Sequence, residues 1–156
     1  MIDLDIPGWG SLHLQHLVVD YNGTLARDGL LLDGVAERIN ALADTLQVHV
    51  ATADTFGSCQ GALRGLRATV HVLLDGPGGP RKDELVTSLG AETVVAVGNG
   101  GNDAAMLQRA AVGIAVVGPE GATGLTVRAA DVVVTHVHGA LDLLIHPLRL
   151  VATLRE

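Results

Sequence analysis

The sequence predicts an α/β protein: a three-layer, Rossmann-like, mostly parallel sheet with an N-terminal β-hairpin, residues 1–156 forming a single domain. Three observations carry this. Short apolar runs, Leu17–Val19, Val94–Val97 and Val112–Val117, and the Val-rich Val48–Ala51 suit strands buried on both faces. Stretches of helical length separate them, and strand–helix alternation is the signature of a parallel sheet. Finally, 48% of the residues are apolar but only 2% aromatic, so the core must be built from Val, Leu, Ile and Ala.

The elements follow in order. Ile2, Leu4 and Ile6 alternate with polar residues, and Leu12 and Leu14 resume that period beyond Pro7-Gly8-Trp9-Gly10, which reads as a hairpin. Leu17 to Asp20 is the first central strand. Arg27-Asp28-Gly29 is a turn signal ahead of Leu30-Leu31-Leu32 and suggests a short flap. Asp33 is placed to cap a helix running to about Asp44, with Val35, Ile39 and Leu42 on one face. Val48–Ala51 is a strand, followed by a helix to about Leu66 with Asp54 and Thr55 as capping candidates. Thr69–Leu73 is a strand, Gly76–Pro80 a turn, and Lys82–Leu89 a helix. Val94–Val97 is a strand, Asn102–Ala110 a helix, and Val112–Val117 and Asp131–Val134 are strands. Leu141–Leu154 reads as helix with a break near Pro147.

Charge and composition narrow the function. The net charge of −7 argues against nucleic acid, whose phosphate backbone demands clustered Lys and Arg. The lone Cys59 excludes an internal disulfide. No basic, apolar leader opens the chain, and no apolar run is long enough to span a membrane, so a cytoplasmic protein without membrane contact is expected. His13 and His16 lie near the first central strand, and His136 and His138 would share a face if the last strand continued. Neither pair has companions at a metal-ligand spacing.

The chemistry-bearing residues gather at strand ends, where ligands of open α/β sheets bind. The run Leu17-Val18-Val19-Asp20-Tyr21-Asn22-Gly23-Thr24 delivers a carboxylate to a Gly-Thr turn. The next strand ends in Thr52, Lys82 opens a later helix, and Val94–Val97 leads into Gly98-Asn99-Gly100-Gly101-Asn102-Asp103. A carboxylate nucleophile, a hydroxyl, a cation and a second carboxylate could together hold a phosphoryl group and a metal ion. The Gly98-x-Gly100 turn is not a dinucleotide fingerprint, because Asp103 occupies the place of its third glycine and would repel a pyrophosphate.

In this order, Asp20…Thr24, Thr52, Lys82 and Gly98…Asp103, the chain resembles the haloacid dehalogenase-like superfamily of phosphatases and phosphotransferases. Gly98–Leu107 together with Ala111–Ala115 looks like the hinge motif of P-type ATPases, and the resemblance is greatest to the soluble P-type ATPase-like branch. The resemblance implies a Mg2+-dependent phosphohydrolase acting on a small phosphorylated substrate. Asp20 would attack phosphorus and become an aspartyl-phosphate, and Thr24 would support its loop. Asn22, Gly23, Thr52, Ala53, Lys82 and Asn102 would bind the phosphoryl group, with Asn22, Thr52 and Lys82 also assisting catalysis. Asp20, Asn22, Asn99 and Asp103 would hold Mg2+.

Two positions depart from the family pattern. Asn22 stands where most family phosphatases carry an acid–base Asp, and Asn99 stands where a Mg2+-ligating Asp is usual. Lost acid–base help typically costs about 10²–10⁴-fold, so turnover is expected to be slow and Mg2+ binding weakened. A non-catalytic module that binds a phosphorylated ligand or a protein therefore stays open, as does autophosphorylation from a nucleoside triphosphate. The family often inserts a cap domain over the site. The 27 residues between Thr24 and Thr52 have room only for a flap and one helix, so no cap domain is expected. A neighbouring subunit commonly covers the site in capless members, which implies a homo-oligomer, a dimer or a tetramer.

Overall fold

Six parallel strands form the centre of the molecule, in a computed structural model that describes residues 1–53, 61, 63–73 and 77–156. Two small antiparallel pairs accompany them: the N-terminal hairpin β1 (Ile2–Ile6) and β2 (Gly10–Leu14), and the flap hairpin β4 (Ala26–Arg27) and β5 (Leu30–Leu31). The central strands are β3 (His16–Asp20), β6 (Gln47–Thr52), β7 (Thr69–Val72), β8 (Val94–Gly98), β9 (Val112–Val116) and β10 (Val132–Val134). Their spatial order is β10-β9-β8-β3-β6-β7. The chain runs outward from β3 to β7, returns to β8, and then runs outward the other way. The strand order thus reverses between β3 and β8, the topological switch point at which such sheets bind ligands.

Helices cover both faces. On one lie α1 (Val35–Leu42), α5 (Val137–Ile145) and α6 (Pro147–Leu154), packed with the hairpin on Leu17, Val19, Val50, Val95, Val97 and Ile114. On the other lie α2 (Gly78–Ser88), α3 (Ala104–Arg109) and α4 (Gly124–Ala129), around Val18, Ala51, Ala96, Met106, Leu107 and Ala115. Alternate residues of β3, β6, β8 and β9 thus enter different clusters, as the two-residue strand period requires. Among the described residues no cap domain is inserted: between β3 and β6 there are only the flap and α1. No single helix among them is long and apolar enough to cross a membrane.

Several sequence expectations need correction. Gly34, with φ 77°, precedes α1, and no side chain caps it, so Asp33 does not serve as its cap. Helix α2 starts at Gly78, four residues before Lys82, with Pro80 inside its first turn, where a missing N–H costs nothing. Leu63 to Gly65 form a turn rather than helix, and the capping candidates Asp54 and Thr55, with Cys59 and Gly76, lie outside the described residues. Residues 101–103 form a 3-10 turn before α3. Helix α4 was not expected; the Thr123 side chain accepts from the Thr126 N–H at its start. Strand β10 stops at Val134, so His136 and His138 share no strand face: His136 precedes α5 and His138 lies within it. The expected break falls at His146, where α5 and α6 meet at 105°.

Candidate active site

Asp20 is the last residue of β3, and Asp103 follows β8 by way of the Gly-rich turn, so the two carboxylates flank the switch point. Lys82, fully buried, reaches between them from α2. Its Nζ donates to Asp20 Oδ1 at 2.6 Å and to Asp103 Oδ1 at 2.5 Å. Asp103 Oδ2 accepts from the Asn99 and Gly100 backbone N–H groups at 2.9 and 2.8 Å. Gly98 permits this approach, since a Cβ there would stand 2.5 Å from Asp103 Cγ. The Thr24 hydroxyl lies 3.2 Å from Asp20 Oδ2 and 3.1 Å from Asn99 Oδ1. One cation among two buried carboxylates leaves a net negative site. Burial and the charge of Asp103 push the Asp20 carboxyl up to about 7, against the opposing pull of Lys82 and Thr24. Burial lowers the Lys82 pKa, but its two carboxylate partners outweigh that and raise it.

The structure brings Asp20, Thr24, Lys82, Asn99 and Asp103 into one connected set. Thr52 is buried at the end of β6, beside the Asp20 strand end, where Asp20 pairs with Ala51. Asn22 and Ala53 follow the carboxyl ends of β3 and β6 and are exposed, and Gly23, with φ 80°, is buried against the Asn99 amide. Asn102 sits at the start of α2: a Cβ on Gly78 would be 3.3 Å from its Nδ2, and one on Gly79 3.5 Å from its backbone O. That contact supports the helix carrying Lys82. The Asn99 amide is engaged at both ends, its Nδ2 donating to the Gly121 carbonyl at 2.9 Å and its Oδ1 facing Thr24.

The donor set suits a hard divalent cation. It offers oxygens only, two of them buried carboxylates, and Mg2+ is held by one or two carboxylates and several waters. Among the described residues no group of three or more His, Cys, Asp or Glu could hold a metal, so here the two carboxylates would need amide or carbonyl oxygens and water beside them.

Two features lay beyond the sequence reading. His16, His49 and His71, on adjacent strands β3, β6 and β7, form a hydrogen-bonded row with ring nitrogens 3.2 and 3.0 Å apart. Burial, then the charges of His71 and His16, lower His49 to about 4. The second feature is the turn after β9, where Glu120 Oε1 accepts from the Asp28 N–H of the flap at 2.9 Å. Beside the flap lies a cavity of about 440 Å³ whose lining includes Arg27, Leu32, Val117, Gly118, His136 and His138.

This sheet, with its site at the switch point, is the haloacid dehalogenase-like fold. No protein-family model matches the chain. Two solved phosphatases illustrate the likeness. The cobalt-bound deoxy-D-mannose-octulosonate 8-phosphate phosphatase of Haemophilus influenzae superposes with TM-score 0.71 at 15% identity, over 86% of this chain and 88% of that one. The 3-deoxy-D-manno-octulosonate 8-phosphate phosphatase of Moraxella catarrhalis, in complex with magnesium and phosphate ions, gives 0.66 at 15%, over 86% and 87%. In sequence, an uncharacterised protein of Methanocaldococcus jannaschii is 42% identical over 74 residues, 47% of this chain and 80% of that protein. The chain belongs to the same family as that archaeal protein.

Proposed function

We propose that this protein is a capless, Mg2+-dependent phosphohydrolase of the soluble P-type ATPase-like branch, acting on a small phosphoester through Asp20. The observation that carries the reading is Lys82, fully buried and bridging Asp20 and Asp103 at the switch point. A buried ammonium shared by two carboxylates is a poor device for stability, since desolvation consumes most of its Coulomb energy. It is a good device for receiving a dianion beside a carboxylate nucleophile.

In the proposed reaction an Asp20 oxygen attacks phosphorus, the phosphorus–oxygen bond to the alcohol breaks, and the departing alkoxide takes a proton from solvent water. Water then attacks the aspartyl-phosphate, releasing phosphate and the Asp20 carboxylate. Lys82 and the Thr52 hydroxyl hold the phosphoryl oxygens, with the loops of Asn22, Gly23, Ala53 and Asn102 around them. Asp20, Asp103, the Asn99 amide oxygen and the Asn22 carbonyl would hold Mg2+, which supplies charge neutralisation when bound. The cavity beside the flap has the volume of a small-molecule site and would take the organic part of the ester. A second copy of the chain would cover the flap, whose Leu30 is 73% exposed.

Phosphate release from a panel of small phosphoesters with Mg2+ tests the reading: wild type should turn over and Asp20→Ala should not. Equal release by both overturns it. The second reading, a non-catalytic binding module, is favoured by Asn22 and Asn99. It predicts saturable phospholigand binding without turnover in wild type, and hydrolysis only after Asn22→Asp and Asn99→Asp together.

A further inference from the structure

The proposed reaction lacks one residue. Something must take the proton from the water that attacks the aspartyl-phosphate, and an amide at position 22 cannot. The turn after β9 brings the Glu120 carboxylate to the nucleophile loop at Gly23. A Cβ on Gly118 would lie 3.6 Å from the Gly23 carbonyl oxygen. The space a Cβ on Gly23 would fill is 2.9 Å from Glu120 Oε2 and 2.6 Å from Asn99 Nδ2. Glu120 and Asn99 therefore converge on the Cβ position of the residue that follows Asn22, which only a glycine leaves empty.

Glu120 is held there although it is exposed. Its Oε1 accepts from the Asp28 N–H, in a flap turn where Asp28 adopts φ 52°. Its Oε2 has no hydrogen-bond or ion-pair partner among the described residues. The turn beneath it is fastened to Asn99, whose Nδ2 donates to the Gly121 carbonyl at 2.9 Å and whose carbonyl accepts from the Thr123 N–H at 3.0 Å. The turn also closes on itself through Gly121 N–H to the Gly118 carbonyl at 2.9 Å. An aspartate at position 99 would set a carboxylate oxygen against the Gly121 carbonyl and release the turn.

We propose that Glu120 is the proton-transfer residue of this site, in place of the carboxylate absent at Asn22, with Asn99 as its positioning residue. The proposal rests on the phosphohydrolase reading. In the second step the Glu120 carboxylate takes a proton from water as its oxygen bonds to phosphorus. The phosphorus–oxygen bond to Asp20 breaks, its electron pair staying on the Asp20 carboxylate, and Glu120 returns the proton to solvent. The two asparagines and Glu120 then form one adaptation: the acid–base group has moved from the nucleophile loop to the β9 turn, and residue 99 has become the amide that holds it.

Glu120→Gln is the test, because the Gln oxygen still accepts from Asp28 and only the proton acceptor is lost. The probe is p-nitrophenyl phosphate with Mg2+, whose leaving group needs no proton. The expected result is a retained burst of one p-nitrophenol per chain and steady-state turnover lower by about 10²–10⁴-fold. Phosphorylated protein should then accumulate in the intact mass spectrum. Adding Asn22→Asp to Glu120→Gln should restore turnover, which a merely structural role for Glu120 would not allow. Unchanged turnover in Glu120→Gln overturns the inference, and so does loss of burst and turnover together without rescue by Asn22→Asp. A wild type with no Asp20-dependent burst or turnover overturns the phosphohydrolase reading itself, a failure that Asp20→Ala identifies separately.

Discussion

Asp20 holds a proton in the folded protein over a range where the unfolded chain has lost it, from the ordinary value of 3.8 to about 7. Its contribution to stability is therefore fully present below the unfolded pKa and lost as pH rises through about 7. His49, lowered from 6.5 to about 4, has the opposite sign: its contribution is present above 6.5 and lost as pH falls. The two slopes oppose each other in wild type, and single variants should expose them. Measured by denaturant unfolding in chelator, Asp20→Asn should gain on wild type between pH 5 and pH 8, by on the order of 2 kcal/mol. A constant difference across that range would refute the shift assigned to Asp20. Lys82→Met should cost about 3–5 kcal/mol at pH 8, since it strands two buried carboxylates, and less at pH 5, where Asp20 binds its proton. Asp20, Thr24, Lys82 and Asp103 were legible in the sequence because a carboxylate, a hydroxyl, a cation and a second carboxylate follow strands or open a helix in that order. Glu120 was not: Gly118-Pro119-Glu120-Gly121 reads as any surface turn until tertiary approach sets it over Gly23. The histidine row was hidden for the same reason, its members being 33 and 22 residues apart along the chain.

Elements were readable where one period dominates and less so at their ends. The alternation of Ile2, Leu4 and Ile6, the apolar runs of β3, β8 and β9 and the Val-rich stretch of β6 correspond to the observed strands. The start of α2 was misplaced because Gly78-Gly79-Pro80 resembles a turn, whereas the first helical turn tolerates a residue without an N–H. Helix α4 spans six residues, too few to establish a helical period, and Thr123 was its sole signal. The packing of β9 on α3 depends on Gly113, where a Cβ would stand 2.5 Å from the Leu107 carbonyl oxygen. Backbone cannot yield as a flexible side chain can, so Gly113→Ala should destabilise by at least about 1–3 kcal/mol in denaturant unfolding. A neutral result would mean that α3 can slide away from the sheet at little cost.

At the scale of the whole molecule, the return of the chain from β7 to β8 turns scattered residues into a site. The reversal opens a crevice between β3 and β8, and α2, which makes the crossing, brings Lys82 into it. With only a flap and one helix between β3 and β6, the site depends on the flap and on whatever packs against it. A self-associating protein should show a concentration-dependent sedimentation coefficient, and Leu30→Glu on the exposed flap should shift it toward the monomer; a wild type monomeric at all concentrations would contradict the second copy. The covalent intermediate on Asp20 is read out by intact mass of wild type and Asp20→Ala after mixing with p-nitrophenyl phosphate and Mg2+, quenched in acid. A phosphorylated wild-type species, mapped to Asp20, is expected, with no counterpart in the variant. Phosphate release by wild type without that species, or the same species in Asp20→Ala, would contradict that intermediate.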